Sequence, residues 1–444
     1  MCGLAEILAL QGFIITGSDL IKSKTVNRLG ALGVKVSIGH KASHIEDAQA
    51  IVVSSAIPPE NPEVRKALSK GLPIIQRAEL LAEVTAEQKA IAISGTHGKT
   101  TTASLTWHIL KFSGLDPSAV IGGRILFPGS KRTGAHLGED KIIVIEADES
   151  DASFLHFSPE VTVITNIEPE HMNFYKKENE LRNTFRRFAN QPPKNGLCIL
   201  CTDDVSTRNL TREINKRIIT YGTTGSANFK AENISFAQNI TNFEIQINGK
   251  YIDEIEVPLL GKHNVLNTLA ALIVASEFNI PLETSKKALK QFLGVERRFE
   301  RRGMFKGITI VDDYAHHPTE ISATLKAAKE MHKGRVVIIF QPHRFTRTRD
   351  HLDEFAHSLG EADVILISDI YAAGETPIPG IDSERICEII RGNGHKKVLD
   401  IGKLDKAIPA TMKVLEEGDL VITAGAGSIT SFGPRLLDAL KKMI

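Results

Sequence analysis

Short apolar runs alternate with stretches of helical periodicity along most of the chain. Over the first part the runs are GFIITGSD, GVKVSIG, AIVVSSAI and LPIIQ, and helical stretches separate them. Because parallel strands need a crossover connection, usually a helix, this alternation predicts βαβ units around a parallel sheet. The chain opens directly on a helical stretch, MCGLAEILAL, whereas a nucleotide-binding βαβ unit normally places a strand and a glycine-rich turn first. We therefore expect either a start about ten residues upstream or an incomplete first domain.

Two more α/β units follow the first. In the second, KAIAISG, KIIVIEAD and VTVITNI are continuous apolar runs, which are typical of strands buried on both faces of a sheet. The segment NFEIQINGKYIDEIEV predicts a β-hairpin around Asn248 and Gly249, and helical stretches follow at 263–279 and 283–293. The third unit begins near VERRFERRG, and its predicted strands are ITIVDD, RVVIIF, DVILISD and DLVITAG.

The pattern predicts an α/β fold with three domains in series. Residues 1–88 would form a Rossmann-like domain whose first strand is missing. Residues 89–295 would form a central P-loop ATPase-like domain with a small antiparallel β section, and residues 296–444 a second Rossmann-like domain. The length of 444 residues agrees with this division, because it is too great for one ordinary hydrophobic core.

Charge and composition exclude several classes of protein. The chain has 54 basic and 53 acidic residues, which argues against a surface that coats nucleic acid. No apolar run reaches the roughly 20 residues that span a bilayer, and no signal peptide is recognisable. The four cysteines are too few for a disulfide framework, and the apolar setting of CILC favours a buried strand over a zinc half-site or a redox pair. We expect a soluble cytoplasmic protein.

The segment AIAISGTHGKTTTASL joins a predicted strand to a predicted helix and contains a phosphate-binding motif. Glycines let backbone N–H groups point inward at phosphate oxygens, Lys99 supplies a positive charge, and the Thr100 hydroxyl is suited to Mg²⁺. Ile93 stands where the strict G-x-x-x-x-G-K-T spacing requires glycine, so the loop is a shortened variant. An ordinary strand-to-helix turn is the alternative. The predicted nucleotide-binding residues of this loop are Gly95, Thr96, His97, Gly98, Lys99, Thr100 and Thr101.

Two predicted strands of the same domain end in acidic segments. IIVIEADESD places Glu146 at the end of the first, where a carboxylate can hold the Mg²⁺ that bridges the β- and γ-phosphates. VTVITNIEPEHMNFY places Asn166, Glu168, Glu170 and His171 after the second, which suggests a second metal ion ligated partly by imidazole. The alternatives are a solvated acidic loop and a structural histidine, and for His171 the two interpretations are evenly balanced.

The motifs of the chain, taken together, resemble those of the cytoplasmic muramyl ligases of peptidoglycan synthesis. GTHGKTT, EADESDASF, TNIEPEHM, GKHNVLNTLAA, VERRFE, VDDYAHHPTE, FQPHRFTRTRD and AGAGSI occur in the order seen in that family, over essentially the whole chain. The resemblance implies an ATP-dependent ligase that joins L-alanine to the lactyl carboxylate of UDP-N-acetylmuramate through an acyl phosphate. This reaction is the first amino-acid addition in peptidoglycan precursor synthesis, and it releases ADP and phosphate.

The resemblance also implies roles for individual residues. The catalytic residues would be Lys99, Glu146, His171 and Arg298. ATP would be bound with two Mg²⁺ ions, for which Mn²⁺ can substitute, and the metal ligands would be Thr100, Glu146 and His171. Outside the phosphate loop, adenine would contact Asn264 and Asn267, and the ribose hydroxyls would contact Asp313.

Two substrate pockets follow from the same resemblance. An alanine carboxylate needs a guanidinium fork, and the alanine pocket would consist of Tyr314, His316, Arg344 and Arg347. Without the resemblance, Arg344 and Arg347 would be interpreted as solvent-exposed basic residues at the start of a helix. The UDP-sugar would be held by the first domain near predicted strand ends, through Ser18, His40, Ser54, Ser55 and Arg77.

Other functions remain open at this point. A related ligase could add a different amino acid or a peptide. A nucleotide-dependent switch, inactive as a ligase because its first domain is incomplete, would hydrolyse ATP without a sugar nucleotide. The segment GFIITGSD is the one feature that suggests a dehydrogenase. It lacks the G-x-G-x-x-G motif that binds a dinucleotide. We expect small-molecule substrates, no nucleic acid or membrane partner, and a monomer or weak homodimer.

Overall fold

The computed structural model describes residues 1–128, 132–237 and 240–442. Within it the chain forms two compact units. The first comprises residues 1–232, 244–255 and 266–292, and the second comprises residues 233–243, 256–265 and 293–444.

Strands and helices alternate through most of the chain, as the apolar pattern predicts. The strands are β1 (Thr16–Asp19), β2 (Lys35–Ile38), β3 (Ile51–Val53), β4 (Ile74–Gln76), β5 (Lys89–Ser94), β6 (Ser118–Leu126), β7 (Arg132–His136), β8 (Ile142–Glu146), β9 (Val161–Ile164), β10 (Leu197–Cys201), β11 (Arg217–Gly222), β12 (Phe229–Ala237), β13 (Ile240–Ile247), β14 (Lys250–Val257), β15 (Glu300–Phe305), β16 (Ile308–Asp313), β17 (Val336–Phe340), β18 (Val364–Ser368), β19 (Val398–Gly402) and β20 (Leu420–Ala424). The α-helices are α1 (Cys2–Leu10), α2 (Lys24–Ala31), α3 (Pro62–Lys70), α4 (Arg77–Val84), α5 (Lys99–Phe112), α6 (Met172–Tyr175), α7 (Glu178–Ala189), α8 (Val205–Leu210), α9 (Lys262–Glu277), α10 (Leu282–Lys290), α11 (Pro318–Met331), α12 (Phe345–Asp350), α13 (Leu352–Leu359), α14 (Ser383–Gly392), α15 (Ile408–Met412) and α16 (Phe432–Lys441).

The first four strands form two separate parallel pairs, in which β1 joins β2 and β3 joins β4. All four strands lie in the predicted apolar runs. The predicted parallel pairing is therefore confirmed, and among the described strands none hydrogen-bonds to both pairs. Strand β1 is also shorter than its apolar run, since Phe13 and Ile14 precede it and are 61% and 97% exposed.

The described residues contain a ten-stranded sheet in the order β14-β13-β12-β11-β10-β9-β5-β8-β6-β7. Strands β8, β5, β9 and β10 are parallel neighbours at its centre, and nearly all of their side chains are buried. This arrangement confirms the prediction that the continuous apolar runs are strands covered on both faces. Helix α5 follows β5 and is itself almost entirely buried, so the loop between them is held by two rigid elements.

Strand β10 contains the CILC motif. Cys198 and Cys201 are fully buried in it, as the apolar setting predicts, and neither is in a disulfide. Burial raises the pKa of the Cys198 thiol to about 12 and that of Cys201 to about 11. Both thiols are therefore protonated at neutral pH, and they act as small apolar groups of the core.

The hairpin predicted around Asn248 and Gly249 is confirmed. Strands β13 and β14 are neighbours in the sheet, and these two residues connect them with φ angles of 49° and 76°. A two-residue type I′ turn requires positive φ at both central positions, which explains the Asn-Gly pair.

The second unit contains a six-stranded sheet among its described residues, in the order β15-β16-β20-β17-β18-β19. Strand β15 is antiparallel to β16, and the other neighbours are parallel. Successive side chains of β17 enter two different apolar clusters, with Ile338 in one and Val337 and Ile339 in the other, so both faces of the sheet are covered. The four strands predicted for this part are confirmed. No described helix is long and apolar enough to cross a membrane.

Candidate active site

The loop between β5 and α5 follows a backbone path that requires glycine at two positions. Gly95 has a φ of +133°, and a Cβ atom there would lie 2.1 Å from Oγ1 of Thr165. Gly98 has a φ of +84°, and its Cβ would lie 2.6 Å from Oδ1 of Asn267. Only glycine accommodates both the left-handed backbone and the close neighbours. The glycines of the motif thus give the loop the tight curvature that suits the binding of an anion by backbone N–H groups.

The segment after β9 holds this loop from the side. Oδ1 of Asn166 accepts a hydrogen bond from the backbone N–H of His97 at 2.8 Å, and its amide nitrogen donates to the His97 carbonyl at 3.0 Å. The Thr96 hydroxyl accepts from the backbone N–H of Glu168 at 2.9 Å, and Nε2 of His97 lies 3.4 Å from the Glu168 carboxylate. Asn166 and Glu168 therefore position the loop, a role that the sequence pattern alone did not indicate.

Lys99 is the first residue of α5, and acceptors surround its ammonium group. Nζ donates to the carbonyl oxygens of Gly95 and Thr96 and to Oε1 of Glu149, the last at 2.9 Å. Burial alone would lower the pKa of Lys99, but the Glu149 carboxylate outweighs it and raises that pKa above its ordinary value. The ammonium group therefore stays charged at neutral pH, directly beneath the phosphate loop.

The two oxygen ligands predicted for a metal ion lie together. Thr100 donates a hydrogen bond through Oγ1 to Oε1 of Glu146 at 2.9 Å, and Oε2 of Glu146 accepts from the backbone N–H of Gly122 at 2.6 Å. A hydroxyl and a carboxylate next to a phosphate loop form a donor set that fits Mg²⁺, which prefers oxygen ligands. The geometry of Thr100 and Glu146 thus agrees with the predicted metal site, although their role as ligands stays a prediction.

His171, the third predicted ligand, lies beside two other carboxylates. Its Nε2 is 3.8 Å from Oε1 of Glu149 and 3.9 Å from Oε2 of Glu170. Glu149 is only 2% exposed, and burial raises the pKa of its carboxyl group to about 7 against the opposing charge of Lys99. Spacing along the sequence does not distinguish Glu149 from the neighbouring acids of EADESD, and Glu146 was therefore the predicted ligand of this segment.

The residues predicted to bind the UDP-sugar follow the two short strand pairs. Ser18 is the penultimate residue of β1, His40 follows β2, and the Ser18 hydroxyl contacts Nδ1 of His40 at 2.9 Å. Glu63, which the sequence analysis missed, accepts from Ser18 at 2.7 Å and lies 2.8 Å from Nδ1 of His44. The structure therefore brings Ser18 and His40 together in one polar cluster at the carboxyl ends of β1 and β2.

The other three predicted sugar ligands belong to the second pair of strands. Ser54 and Ser55 directly follow β3, and Arg77 begins α4 immediately after β4. These positions are also carboxyl ends of parallel strands, where ligands of α/β sheets bind. Their role in binding stays a prediction.

In the second unit, Asp313 ends β16 and is 7% exposed. Its Oδ1 accepts from the backbone N–H of Ala315 and its Oδ2 from that of Phe299, both at 2.8 Å, while burial raises its pKa. Arg298 lies 3.8 Å from Glu320 and 5.2 Å from the ring centre of Tyr314. The predicted ribose acceptor and the predicted catalytic arginine thus occupy an ordered, partly buried corner of this unit.

The predicted adenine contacts, Asn264 and Asn267, lie on helix α9 and are 8% and 5% exposed. Nδ2 of Asn264 donates to the carbonyl oxygen of Leu260 at 2.7 Å. Oδ1 of Asn267 accepts from the Thr102 hydroxyl at 3.1 Å, and it is also the atom that lies against Gly98. Asn267 therefore contacts the phosphate loop and the helix after it, and adenine contact by either asparagine stays a prediction.

The residues predicted for the alanine pocket lie near a second histidine, His343. The rings of Tyr314 and His316 are 5.1 Å apart, and His316 is 6.1 Å from His343, which the sequence analysis did not name. Nδ1 of His343 lies 3.4 Å from Nη1 of Arg347, and its ring stacks on Tyr371 at 5.5 Å. Arg344 precedes helix α12 with a φ of 72° and donates its backbone N–H to the Tyr371 carbonyl at 2.8 Å. Tyr314, His316 and Arg347 therefore lie beside the ring of His343 or beside each other. Arg344 is linked to the same group through the carbonyl of Tyr371.

The lowered pKa of His343 predicts that the stability of the chain depends on pH. Burial, together with the positive charges of His316, Arg347 and Arg344, lowers the pKa of His343 to about 4. The unfolded chain binds this proton near pH 6.5, so the free energy of unfolding should fall as pH decreases from about 6.5 to about 4. Replacing His343 with asparagine should remove this contribution, on the order of 1 kcal/mol between pH 7 and 5 for a half-buried ring.

Urea unfolding of the unaltered chain and of His343→Asn at both pH values measures the difference. His357, which is exposed on α13, provides the matched control, because His357→Asn should lose as much stability on acidification as the unaltered chain. An equal loss of stability in all three proteins would show that His343 titrates normally.

Three models of one protein family match the chain in succession. They are described as the Mur ligase family, catalytic domain, over residues 1–89, the Mur ligase middle domain over residues 93–275, and the Mur ligase, glutamate ligase domain over residues 297–427. The predicted α/β fold of three domains in series is confirmed by these matches. The predicted boundaries at 88 and 295 stay predictions.

Full-length relatives and solved structures agree with the family matches. The UDP-N-acetylmuramate–L-alanine ligase of Anaeromyxobacter sp. (strain Fw109-5) is 46% identical over 99% of this chain and 95% of its own length. The enzyme of that name from Solibacter usitatus is 44% identical over 99% and 93%. The UDP-N-acetylmuramate-alanine ligase of Thermotoga maritima matches in structure with a TM-score of 0.85 at 26% identity, covering 100% of this chain and 98% of its own. A murein peptide ligase from Psychrobacter arcticus has a TM-score of 0.74 at 25% identity, covering 100% and 96%.

Proposed function

The chain belongs to the Mur ligase family, and on that premise we propose that it joins L-alanine to the lactyl carboxylate of UDP-N-acetylmuramate at the expense of ATP. The names of its full-length relatives support this pair of substrates. The single observation that carries the ATP-dependent step is the glycine-dependent loop between β5 and α5, with the charged ammonium group of Lys99 beneath it. Such a loop suits the phosphates of a nucleotide.

The reaction proposed has two steps. A carboxylate does not condense with an amine in neutral water, because its oxygen is a poor leaving group. In the first step a lactyl carboxylate oxygen attacks the γ-phosphorus of ATP, the bond to the bridging oxygen breaks, and an acyl phosphate and ADP result. In the second step the neutral amine of alanine attacks the acyl carbon, phosphate leaves with the original carboxylate oxygen, and the nitrogen loses a proton.

Charge neutralisation is the main task in the first step, because two anions must meet. Lys99 and the N–H groups of the loop would contact the β- and γ-phosphates. Thr100 and Glu146 would hold Mg²⁺, which supplies positive charge that offsets the charge of the phosphates. A second ion beside His171, and Mn²⁺ as a substitute for Mg²⁺, belong to the same proposal.

The other parts of the chain would bind the remaining groups. The polar cluster of Ser18 and His40, together with Ser54, Ser55 and Arg77, would bind the UDP-sugar within residues 1–88. Asn264, Asn267 and Asp313 would bind the nucleoside of ATP, and Arg298 would contact its phosphates. Residues 296–444 would bind alanine, with the guanidinium groups of Arg344 and Arg347 on its carboxylate. We propose a cytoplasmic protein that acts as a monomer or weak homodimer.

Isotope transfer tests the proposed chemistry. UDP-N-acetylmuramate labelled with ¹⁸O in both lactyl carboxylate oxygens should yield inorganic phosphate that contains one ¹⁸O atom per turnover, as measured by mass spectrometry. Phosphate without label would contradict an acyl phosphate.

The amino-acid substrate is tested separately by phosphate release. The rate with ATP, UDP-N-acetylmuramate and L-alanine should exceed the rate with other amino acids or with a preformed peptide. Faster turnover with a peptide would identify a peptide-adding ligase instead. Phosphate release that does not require the sugar nucleotide would indicate a nucleotide switch.

A further inference from the structure

The carboxyl group of Glu149 is buried and only half satisfied. Oε1 accepts from Lys99 at 2.9 Å, whereas Oε2 is buried and makes no hydrogen bond to any part of the chain that the structure describes. Leaving a buried carboxylate oxygen without a partner costs free energy, and such atoms are rare in native proteins. The arrangement indicates that Glu149 acquires another partner when the site is loaded.

The hydrogen bonds of Lys99 indicate that Glu149 becomes available to another partner when a nucleotide binds. An ammonium group has three donors, and those of Lys99 are taken by the carbonyls of Gly95 and Thr96 and by Glu149. Contact with a nucleotide phosphate therefore requires Lys99 to give up at least one of these acceptors. The two carbonyls belong to the loop itself, so Glu149 is the acceptor that can be released without reshaping the loop.

His171 lies beside the same carboxylate oxygen of Glu149 that Lys99 contacts. Its Nε2 lies 3.8 Å from Oε1 of Glu149. Two ligands of one octahedral ion with bonds of about 2.1 Å lie about 3 to 4 Å apart, so a single divalent cation could contact both atoms. Carboxylate and imidazole together form a donor set that accepts Mg²⁺ or Mn²⁺.

We propose that Glu149 is a ligand of the second divalent cation, beside His171, and that Lys99 releases it on binding the nucleotide phosphates. The inference rests on the proposed function in one respect, since it takes a nucleoside triphosphate as the ligand of the phosphate loop. When the nucleotide binds, the ammonium group of Lys99 moves from Glu149 to the phosphates. The cation then takes the place of Lys99 on the Glu149 carboxylate. The second cation should therefore bind tightly only when nucleotide is present.

Mn²⁺ binding to the full chain tests this inference without any turnover. Free Mn²⁺ is titrated by electron paramagnetic resonance, with and without a non-hydrolysable ATP analogue. With the analogue, the unaltered chain should bind about two Mn²⁺ ions, and Glu149→Gln should weaken the second by about tenfold or more while it retains the first. Glu149→Asp, which keeps the carboxylate on a shorter side chain, should retain both ions with a weaker second.

Asp148→Asn is the matched control, because it removes one negative charge from the same loop while its Oδ1 normally accepts from the backbone N–H of Ser150. It should bind two ions. Retention of the first ion by Glu149→Gln reports that this variant is folded. Two ions of unaltered affinity in Glu149→Gln, or a single ion in the unaltered chain, would overturn the inference. Ligase activity in the unaltered chain is scored independently, so a failed ligase assay would contradict the proposed function and leave the cation result intact.

Discussion

Replacement of Lys99 by alanine is expected to lower kcat about 10³-fold, the loss typical for a group that stabilises charge developing in a transition state. The ammonium group is the charged donor directly beneath the phosphate loop, and a second cost arises from Glu149, which would lose the partner of its Oε1. ADP formation in the presence of ATP, UDP-N-acetylmuramate and L-alanine measures the effect.

Lys111 provides the control for this prediction. It lies near the other end of the same helix, α5, where it forms an ion pair with Asp116. Lys111→Ala should therefore leave the rate within about twofold, in line with the small worth of exposed ion pairs. Full activity in Lys99→Ala would show that the loop does not act through this lysine.

Replacement of Asp312 by alanine should lower the free energy of unfolding by about 3–5 kcal/mol, because it breaks a buried ion pair from one side. Asp312 is 0% exposed. Its Oδ2 accepts from Nη2 of Arg302 and from the Thr430 hydroxyl, both at 2.7 Å, and its Oδ1 accepts from the Thr423 hydroxyl at 3.0 Å. The variant would leave the Arg302 guanidinium without this counter-charge inside the sheet. Urea unfolding monitored by circular dichroism provides the measurement.

An exposed ion pair in the same unit serves as the reference for this loss. Asp405 pairs with Arg435 at 3.3 Å, and its side chain is 93% exposed. Asp405→Ala should change the free energy of unfolding by less than about 1 kcal/mol. If Asp312→Ala costs no more than Asp405→Ala, the buried network contributes nothing specific to stability.

The fold was predictable where strands are covered on both faces. Runs such as KAIAIS and VVIIF contain apolar side chains at every position, and this pattern depends only on local sequence. Strand β15 was missed because its sequence, ERRGMF, has no apolar alternation: Glu300 is buried through its ion pair with Arg302, whereas Arg301 and Met304 are exposed. Arg302 in turn pairs with Asp312 on the neighbouring strand β16, and the sequence of β15 does not reveal this contact between strands.

The candidate site was predictable where function depends on order along the chain. Two glycines, a lysine and a threonine between a strand and a helix indicated the loop, and the end of the next strand indicated Glu146. Glu149 and His343 were missed for a different reason. Each owes its environment to residues far away in sequence, and nothing local separates Glu149 from the other acids around it.

The crowded space at Gly95 has a consequence for the design of inhibitors. A side chain at this position would meet Oγ1 of Thr165 at 2.1 Å, so replacing Gly95 with any other residue should distort the loop. A compound that presses against the Gly95 backbone would therefore contact a surface that substitution at this position cannot change without damage to the loop. Resistance to such a compound would have to arise through substitutions at other positions or through reduced uptake of the compound.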